Sequence, residues 1–132
     1  MEMDAEEFIK QLNYVQELMQ KEDYKEAVIL IEKLKKLEKS VNFDYNLTHR
    51  LYQLDSNTRS LYNQQIILKV IKNLSIENDC ISFEELNQIL KEKDKLELSD
   101  DLLKREIEIL ILRNLLSCTI DKEKIIFGFS KK

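Results

Sequence analysis

The sequence predicts a mainly α protein that carries a small antiparallel β wing near its C-terminal end. Its 132 residues include no proline and one glycine, Gly128, so almost nothing in the chain interrupts a helix. β-Branched and aromatic residues run together only beyond Leu116, where a hairpin pattern replaces the helical one. A chain of this length buries about two thirds of its unfolded surface, so we expect one domain, or one domain with a helical extension.

Residues 1–57 are predicted to form an αα-hairpin followed by a linker helix. Asp4 caps the first helix, and Glu7 stands three residues later in a capping-box pattern. A break at residues 21–23 starts the second helix, in which the small residue Ala27 marks the place where the two helices cross. The apolar positions recur at three and four residues: Phe8, Leu12, Val15, Leu18 and Met19, then Tyr24, Ala27, Val28, Ile31, Leu34 and Leu37, then Leu47, Leu51 and Leu54.

A domain boundary is predicted at Asp55-Ser56-Asn57, because these residue types favour turns and helix caps. Residues 58–132 then form the second domain. It opens with a helix over residues 58–74, where apolar residues recur at helical spacing. A short strand, Cys80-Ile81-Ser82, follows that helix.

Two capped helices follow the short strand. Ser82 and Glu85, three residues apart, form a capping box that opens the first of them, and a polar loop over residues 91–97 ends it. Ser99 caps the second helix. Its inward positions are Leu102, Leu103, Ile107, Leu110 and Ile111.

A hairpin closes the second domain. Residues 117–120 and 124–129 are rich in β-branched and aromatic side chains, and the polar turn Asp121-Lys122-Glu123 joins them. The order of helix, strand, helix, helix and hairpin is that of a winged helix-turn-helix. This fold either binds DNA or holds protein subunits together, so the fold by itself does not assign a function.

Three segments of the second domain resemble the C-terminal winged helix of PCI domains: Ile81-Ser82-Phe83-Glu84-Glu85-Leu86, residues 104–111 and residues 115–127. In that family an Ile-Asp pair, here Ile120-Asp121, opens the turn of the wing. PCI domains occur in scaffold subunits of the proteasome lid, the signalosome and a translation initiation factor. The resemblance implies a non-catalytic protein–protein interaction module, a small scaffold or assembly subunit whose winged helices join sheet edge to sheet edge. The helical part is shorter than in a full PCI domain, which leaves open another winged-helix family, such as an endosomal-sorting adaptor or a small transcription regulator.

Other protein subunits, in a homo- or hetero-oligomer, are therefore the expected partners. Sheet addition needs an exposed strand edge, and exposed apolar side chains on a helical hairpin can dock a partner helix. The candidate partner-binding residues are Cys80 and Ile81 on the first strand, Ser117 and Thr119 on the wing, and Tyr14, Ile9 and Ile29 on the N-terminal hairpin.

A DNA-binding transcription regulator is the alternative interpretation. In the usual docking mode the helix capped by Ser99 enters the major groove. Asp100 and Asp101 would then meet phosphate groups of like charge. Residues 58–132 carry 13 basic and 13 acidic side chains, so no basic footprint is expected. The candidate nucleic-acid contacts are Lys104, Arg105, Lys122 and Lys124.

No catalytic residue, cofactor or metal site is predicted. Phosphate-binding loops need several glycines, and metal sites need clustered ligands, which this sequence does not offer. Cys80 and Cys118 fall on predicted strands and are expected to be small buried residues, and His49 is expected at the surface or half-buried. The acidic N-terminus and the lack of a long apolar stretch favour an intracellular protein, cytoplasmic or nuclear, without a membrane span.

Overall fold

The computed structural model describes residues 4–41 and 43–128. The chain divides into two compact units between Tyr62 and Asn63. The predicted fold class, mainly α with a small antiparallel β wing, is confirmed. In chain order the elements are α1 (Ala5–Gln20), α2 (Tyr24–Ser40), α3 (Tyr45–Leu74), β1 (Cys80–Ser82), α4 (Phe83–Asp94), α5 (Asp100–Leu112), β2 (Cys118–Asp121) and β3 (Lys124–Phe127).

The first unit contains the predicted αα-hairpin. Asp4 caps α1, its carboxylate accepting a hydrogen bond from the Glu7 backbone N–H at 2.8 Å. The predicted break after α1 is confirmed at Glu22, whose φ of 61° turns the chain out of the helix. Ala27 is fully buried, as expected for a small residue at a helix crossing. The core of this unit consists of Phe8, Leu12, Val15, Leu18, Ala27, Ile31, Leu34, Leu51 and Leu54.

The predicted helix break at Asp55-Ser56-Asn57 is wrong, because α3 runs through these residues without interruption. The Asp55 carboxylate is not used as a helix cap. It accepts hydrogen bonds from Lys35 Nζ of α2 at 3.1 Å and from Arg59 Nε, one turn further along α3, at 2.9 Å. Cap-forming residue types are tolerated inside a helix when their side chains find such partners.

The second unit is built on one apolar core that α3, α4, α5 and the sheet share. The predicted capping box of α4 is confirmed: the Glu85 N–H donates to Ser82 Oγ at 3.0 Å, and the Ser82 N–H donates to Glu85 Oε1 at 3.2 Å. The predicted cap of α5 is also confirmed, since Ser99 Oγ accepts from the Leu102 N–H at 3.1 Å. Fully buried members of this core include Ile67, Ile71, Leu86, Leu90, Leu103, Ile107 and Ile125.

The loop between α4 and α5 starts later than predicted. Residues 91–94 continue α4, and the helix ends where Lys95 adopts a φ of 55°. The polar residues of this turn form its exposed side, where Gln88 Nε2 donates to Glu92 Oε2 at 2.6 Å. A run of polar side chains is therefore compatible with the last turn of a helix as well as with a loop.

The elements of the second unit follow the order of a winged helix-turn-helix. The second part of α3 is followed by β1, α4, α5 and the β2–β3 hairpin, as predicted. The hairpin turn is shorter than predicted: it consists of Lys122 and Glu123, because Asp121 belongs to β2. The predicted end of the last strand, Phe129, lies outside the described residues. In the part of the chain that the structure describes, no helix combines the length and the apolar content needed to cross a bilayer.

Candidate interaction site

The three described strands form an antiparallel sheet in the order β1-β3-β2. β3 is the central strand, so the predicted partner-binding strands, β1 and β2, both lie at an edge. The register aligns Cys80, Ile126 and Thr119 in one row across the sheet, and Ile81, Ile125 and Ile120 in the next row. Adjacent rows point to opposite faces of a sheet.

The row that contains Cys80 faces solvent, and the row that contains Ile81 faces the core. Cys80 and Thr119 are exposed, and Ile126 retains 41% of its accessible surface. The expectation that Cys80 is buried is therefore wrong, because its position in the pleat points it outward. Ile81 is buried, so its side chain packs in the core and is not available to a partner.

Cys118 lies on the inner face of β2, opposite Phe127. It is half-buried rather than buried, and it packs against the edge of the core. Burial disfavours the charged thiolate, and this desolvation raises the pKa of Cys118.

The outer edge of β1 is partly closed by α4. The Phe127 N–H donates to the Asp79 carbonyl oxygen and the Phe83 N–H donates to the Glu123 carbonyl oxygen, each at 2.9 Å. Since alternate residues of an antiparallel strand bond to the same neighbour, the backbone groups of Cys80 and Ser82 point away from β3. The capping box engages the Ser82 N–H, so this edge offers a partner little beyond Cys80.

The outer edge of β2 is more open, since no other strand or loop among the described residues forms backbone hydrogen bonds with it. Gly128 N–H donates to the Ser117 carbonyl oxygen at 2.8 Å, which shows that Ser117 and Thr119 use their backbone groups toward β3. The backbone N–H and C=O groups of Cys118 and Ile120 therefore point away from the sheet. β2 has the sequence Cys-Thr-Ile-Asp, without the proline, lysine or bulge that commonly protects an edge.

Of the residues predicted to bind a partner, Ser117 and Thr119 thus lie beside this open edge, with exposed side chains. Cys118 and Ile120, whose backbone groups face outward, were not among the residues predicted to bind a partner. A local signal existed, because a two-residue turn makes Asp121 and Lys124 a hydrogen-bonded pair and so fixes which residues of β2 alternate outward. The central place of β3, by contrast, depends on long-range pairing.

The apolar side chains predicted to dock a partner on the N-terminal hairpin are all exposed. Tyr14, Ile29 and Ile9 retain 50%, 42% and 39% of their accessible surface. Ile9 and Tyr14 are five positions apart on α1, so they lie about 140° apart around the helix. They therefore do not belong to one apolar stripe.

The candidate nucleic-acid contacts are surrounded by acidic side chains. Lys104 and Arg105 are exposed, each one turn beyond Asp100 or Asp101, and Lys124 lies opposite Asp121 in the hairpin. An open cleft of about 390 Å³ lies beside the N-terminus of α5 and is lined by Glu84, Asn87, Gln88, Lys91, Glu97, Leu98 and Asp100. Carboxylates outnumber cations there, which disfavours phosphate.

Acidic side chains in this cleft have partners of their own. Asn87 Nδ2 donates to Asp100 Oδ1 at 2.9 Å, and Lys91 Nζ lies 3.9 Å from Glu97 Oε2. Among residues 4–41 and 43–128, no group of three or more His, Cys, Asp or Glu side chains is placed to hold a metal ion. His49 is exposed, as expected, and stacks on Tyr45 with ring centroids 6.0 Å apart.

Comparisons of the chain with protein-family models, with curated proteins and with solved structures find no match.

Proposed function

We propose that the protein is a non-catalytic protein–protein interaction module, a small scaffold or assembly subunit, and that a partner strand adds to the outer edge of β2. One observation carries the proposal: the backbone donors and acceptors of Cys118 and Ile120 point away from the sheet. Strand addition satisfies such groups with main-chain hydrogen bonds, while neighbouring side chains supply specificity. The side chains expected to supply this specificity are Thr119, on the solvent face of β2, and Ser117, just before the strand begins.

The acidic surroundings of α5 also support a protein partner over DNA. A DNA-binding winged helix places the N-terminus of this helix against phosphates and bases. Here that position holds Asp100 and Asp101, and the adjoining cleft adds Glu84 and Glu97. Such a surface repels a nucleic-acid backbone and gives no counterion release.

The proposal is tested by removing one outward donor from the edge. Cys118→Pro deletes an N–H that points away from β3, and proline is tolerated on the open side of an edge strand. Cys118→Ala is the matched control, since it shortens the same side chain and keeps the N–H. The two variants and the wild type are immobilised, and the cellular proteins they retain are quantified by mass spectrometry.

We expect a specific partner that the wild type and Cys118→Ala retain and that Cys118→Pro loses by at least tenfold. Circular dichroism of both variants checks that the fold is kept. The same set of proteins on all three surfaces would contradict a role for the β2 edge. Salt-sensitive binding of duplex DNA that Lys104→Ala and Arg105→Ala abolish, and that Cys118→Pro leaves intact, would support the DNA-binding alternative instead.

A further inference from the structure

We propose that the β2 edge pairs with the β2 edge of a second copy of this chain, so that the two wing sheets join into one continuous sheet. This inference rests on the proposed function and names the partner at the same edge. Two antiparallel edges are complementary to each other when a twofold axis relates them, because each presents donors and acceptors at alternate residues. On β2 these residues are Cys118 and Ile120.

The register of β2 with β3 selects the position of that axis. With Thr119 opposite Thr119 of the second copy, Cys118 lies opposite Ile120 and both exchange their outward hydrogen bonds. Moving the axis to Ile120 would place Cys118 opposite Lys122, which lies in the hairpin turn with a φ of 57°. Moving it to Cys118 would place Ile120 opposite Leu116, which is buried in the core.

The charges at the edge are compatible with self-pairing. In the Thr119-centred register, Asp121 lies opposite Ser117 of the second copy, so no like charges oppose each other across the new pair. Thr119 lies opposite Thr119 of the second copy on the solvent face, where the two β-branched side chains pack side by side. The row formed by Cys80, Ile126 and Thr119 then continues across the axis into the second sheet.

Exposed apolar surface adjoins the edge. Leu112 and Leu115 are both exposed, and they stand on the segment that leads into β2. A single pair of short strands buries less than the roughly 1,200 Å² typical of stable interfaces. We therefore expect a weak, concentration-dependent dimer rather than an obligate one.

Cysteine cross-linking tests the register. Thr119→Cys is placed in a Cys80→Ser, Cys118→Ala background. Residues directly opposite at a non-hydrogen-bonded position have Cα atoms about 4.5 Å apart, within the range that a disulfide bridges. Asp121→Cys in the same background is the matched control, because it is equally exposed but lies opposite Ser117 and not its own copy.

We expect mild oxidation to link Thr119→Cys into a covalent dimer at least tenfold faster than Asp121→Cys. Equal rates, or no dimer from either variant, would overturn the inference. As a second measurement, Thr119→Lys brings two ammonium groups together at the axis, and sedimentation equilibrium is expected to show association at least tenfold weaker than for Thr119→Val. If Thr119→Cys stays monomeric while Cys118→Pro still loses a cellular partner, only the self-pairing fails and the proposed function stands.

Discussion

The Gly128 N–H and the Ser117 carbonyl oxygen form the hydrogen bond that closes the open end of the β2–β3 hairpin, at 2.8 Å. A Cβ atom added to Gly128 would lie 2.9 Å from that same oxygen. This separation is shorter than ordinary van der Waals contact, and the neighbouring atom is backbone and cannot swing away. The one glycine of the chain thus stands where a side chain would push β2 and β3 apart.

We expect Gly128→Ala to lower the free energy of unfolding by about 1–2 kcal/mol, the usual cost of overpacking. Urea denaturation of the wild type and the variant measures the difference. Ser117→Ala is the control, because it keeps the carbonyl oxygen and changes only an exposed hydroxyl. Equal stability of Gly128→Ala and the wild type would show that the backbone at Ser117 moves away from an added Cβ atom without cost.

Lys95 ends α4 in the left-handed region, with a φ of 55°. A residue with a Cβ atom is strained there, whereas glycine adopts this conformation without cost. We expect Lys95→Gly to raise the free energy of unfolding by about 0.5–1 kcal/mol. Lys93→Gly, inside the last turn of α4, is the control and should instead lower stability by a similar amount, because lysine is a far better helix former than glycine. Thermal unfolding of both variants would reveal a misplaced helix end if the two signs were reversed.

Local signals account for most of what the sequence predicted correctly. The caps at Asp4, Ser82 and Ser99 and the apolar spacing of α1, α2 and α5 act within a few residues, so they can be recognised without knowing the rest of the fold. The failures have tertiary causes. The chain stays helical at residues 55–57, since the Asp55 carboxylate accepts a hydrogen bond from Lys35 on another helix and does not serve as a cap.

The candidate site was predicted less completely than the helices. The two hairpin strands and β1 were recognised, but their order across the sheet was not, so the sequence could not choose between the two edges. The orientation of Cys80 depends on its register with Ile126, which is a long-range pairing. A strand of three residues is too short for an alternation of apolar and polar side chains to show which face of the sheet Cys80 lies on.

The second unit contains a buried charged side chain that the sequence pattern hid. Glu106 retains 3% of its accessible surface, and its Oε1 accepts a hydrogen bond from Gln64 Nε2 at 2.9 Å. Arg113 Nη1 donates to Gln64 Oε1 at 2.7 Å, so the Gln64 amide bridges a carboxylate and a guanidinium. Helical spacing places Glu106 on the same face as Leu103 and Leu110, which is the one signal that could have revealed it.

We expect Glu106→Ala to lower the free energy of unfolding by about 2–3 kcal/mol, because it leaves a buried amide donor without this acceptor. Glu106→Gln keeps a carbonyl oxygen in nearly the same place and should cost less, about 1 kcal/mol. Urea denaturation with a common slope for all three proteins measures both values. If the alanine variant were as stable as the glutamine variant, the hydrogen bond from Gln64 would contribute nothing measurable.

The half-buried Cys118 thiol predicts a specific dependence of stability on alkaline pH. Burial raises the pKa of this thiol above its ordinary value of 9.0 in the folded protein. As the pH rises, the unfolded chain therefore loses the proton first, and the stability contributed by the neutral thiol below that pH is lost progressively above it. We expect the free energy of unfolding to fall more steeply as the pH rises through and above about 9 in the wild type than in Cys118→Ala. Other titrating groups contribute equally to both proteins, so the difference between the two curves isolates the contribution of Cys118. Parallel curves would mean that this thiol is as solvated in the folded state as in the unfolded chain.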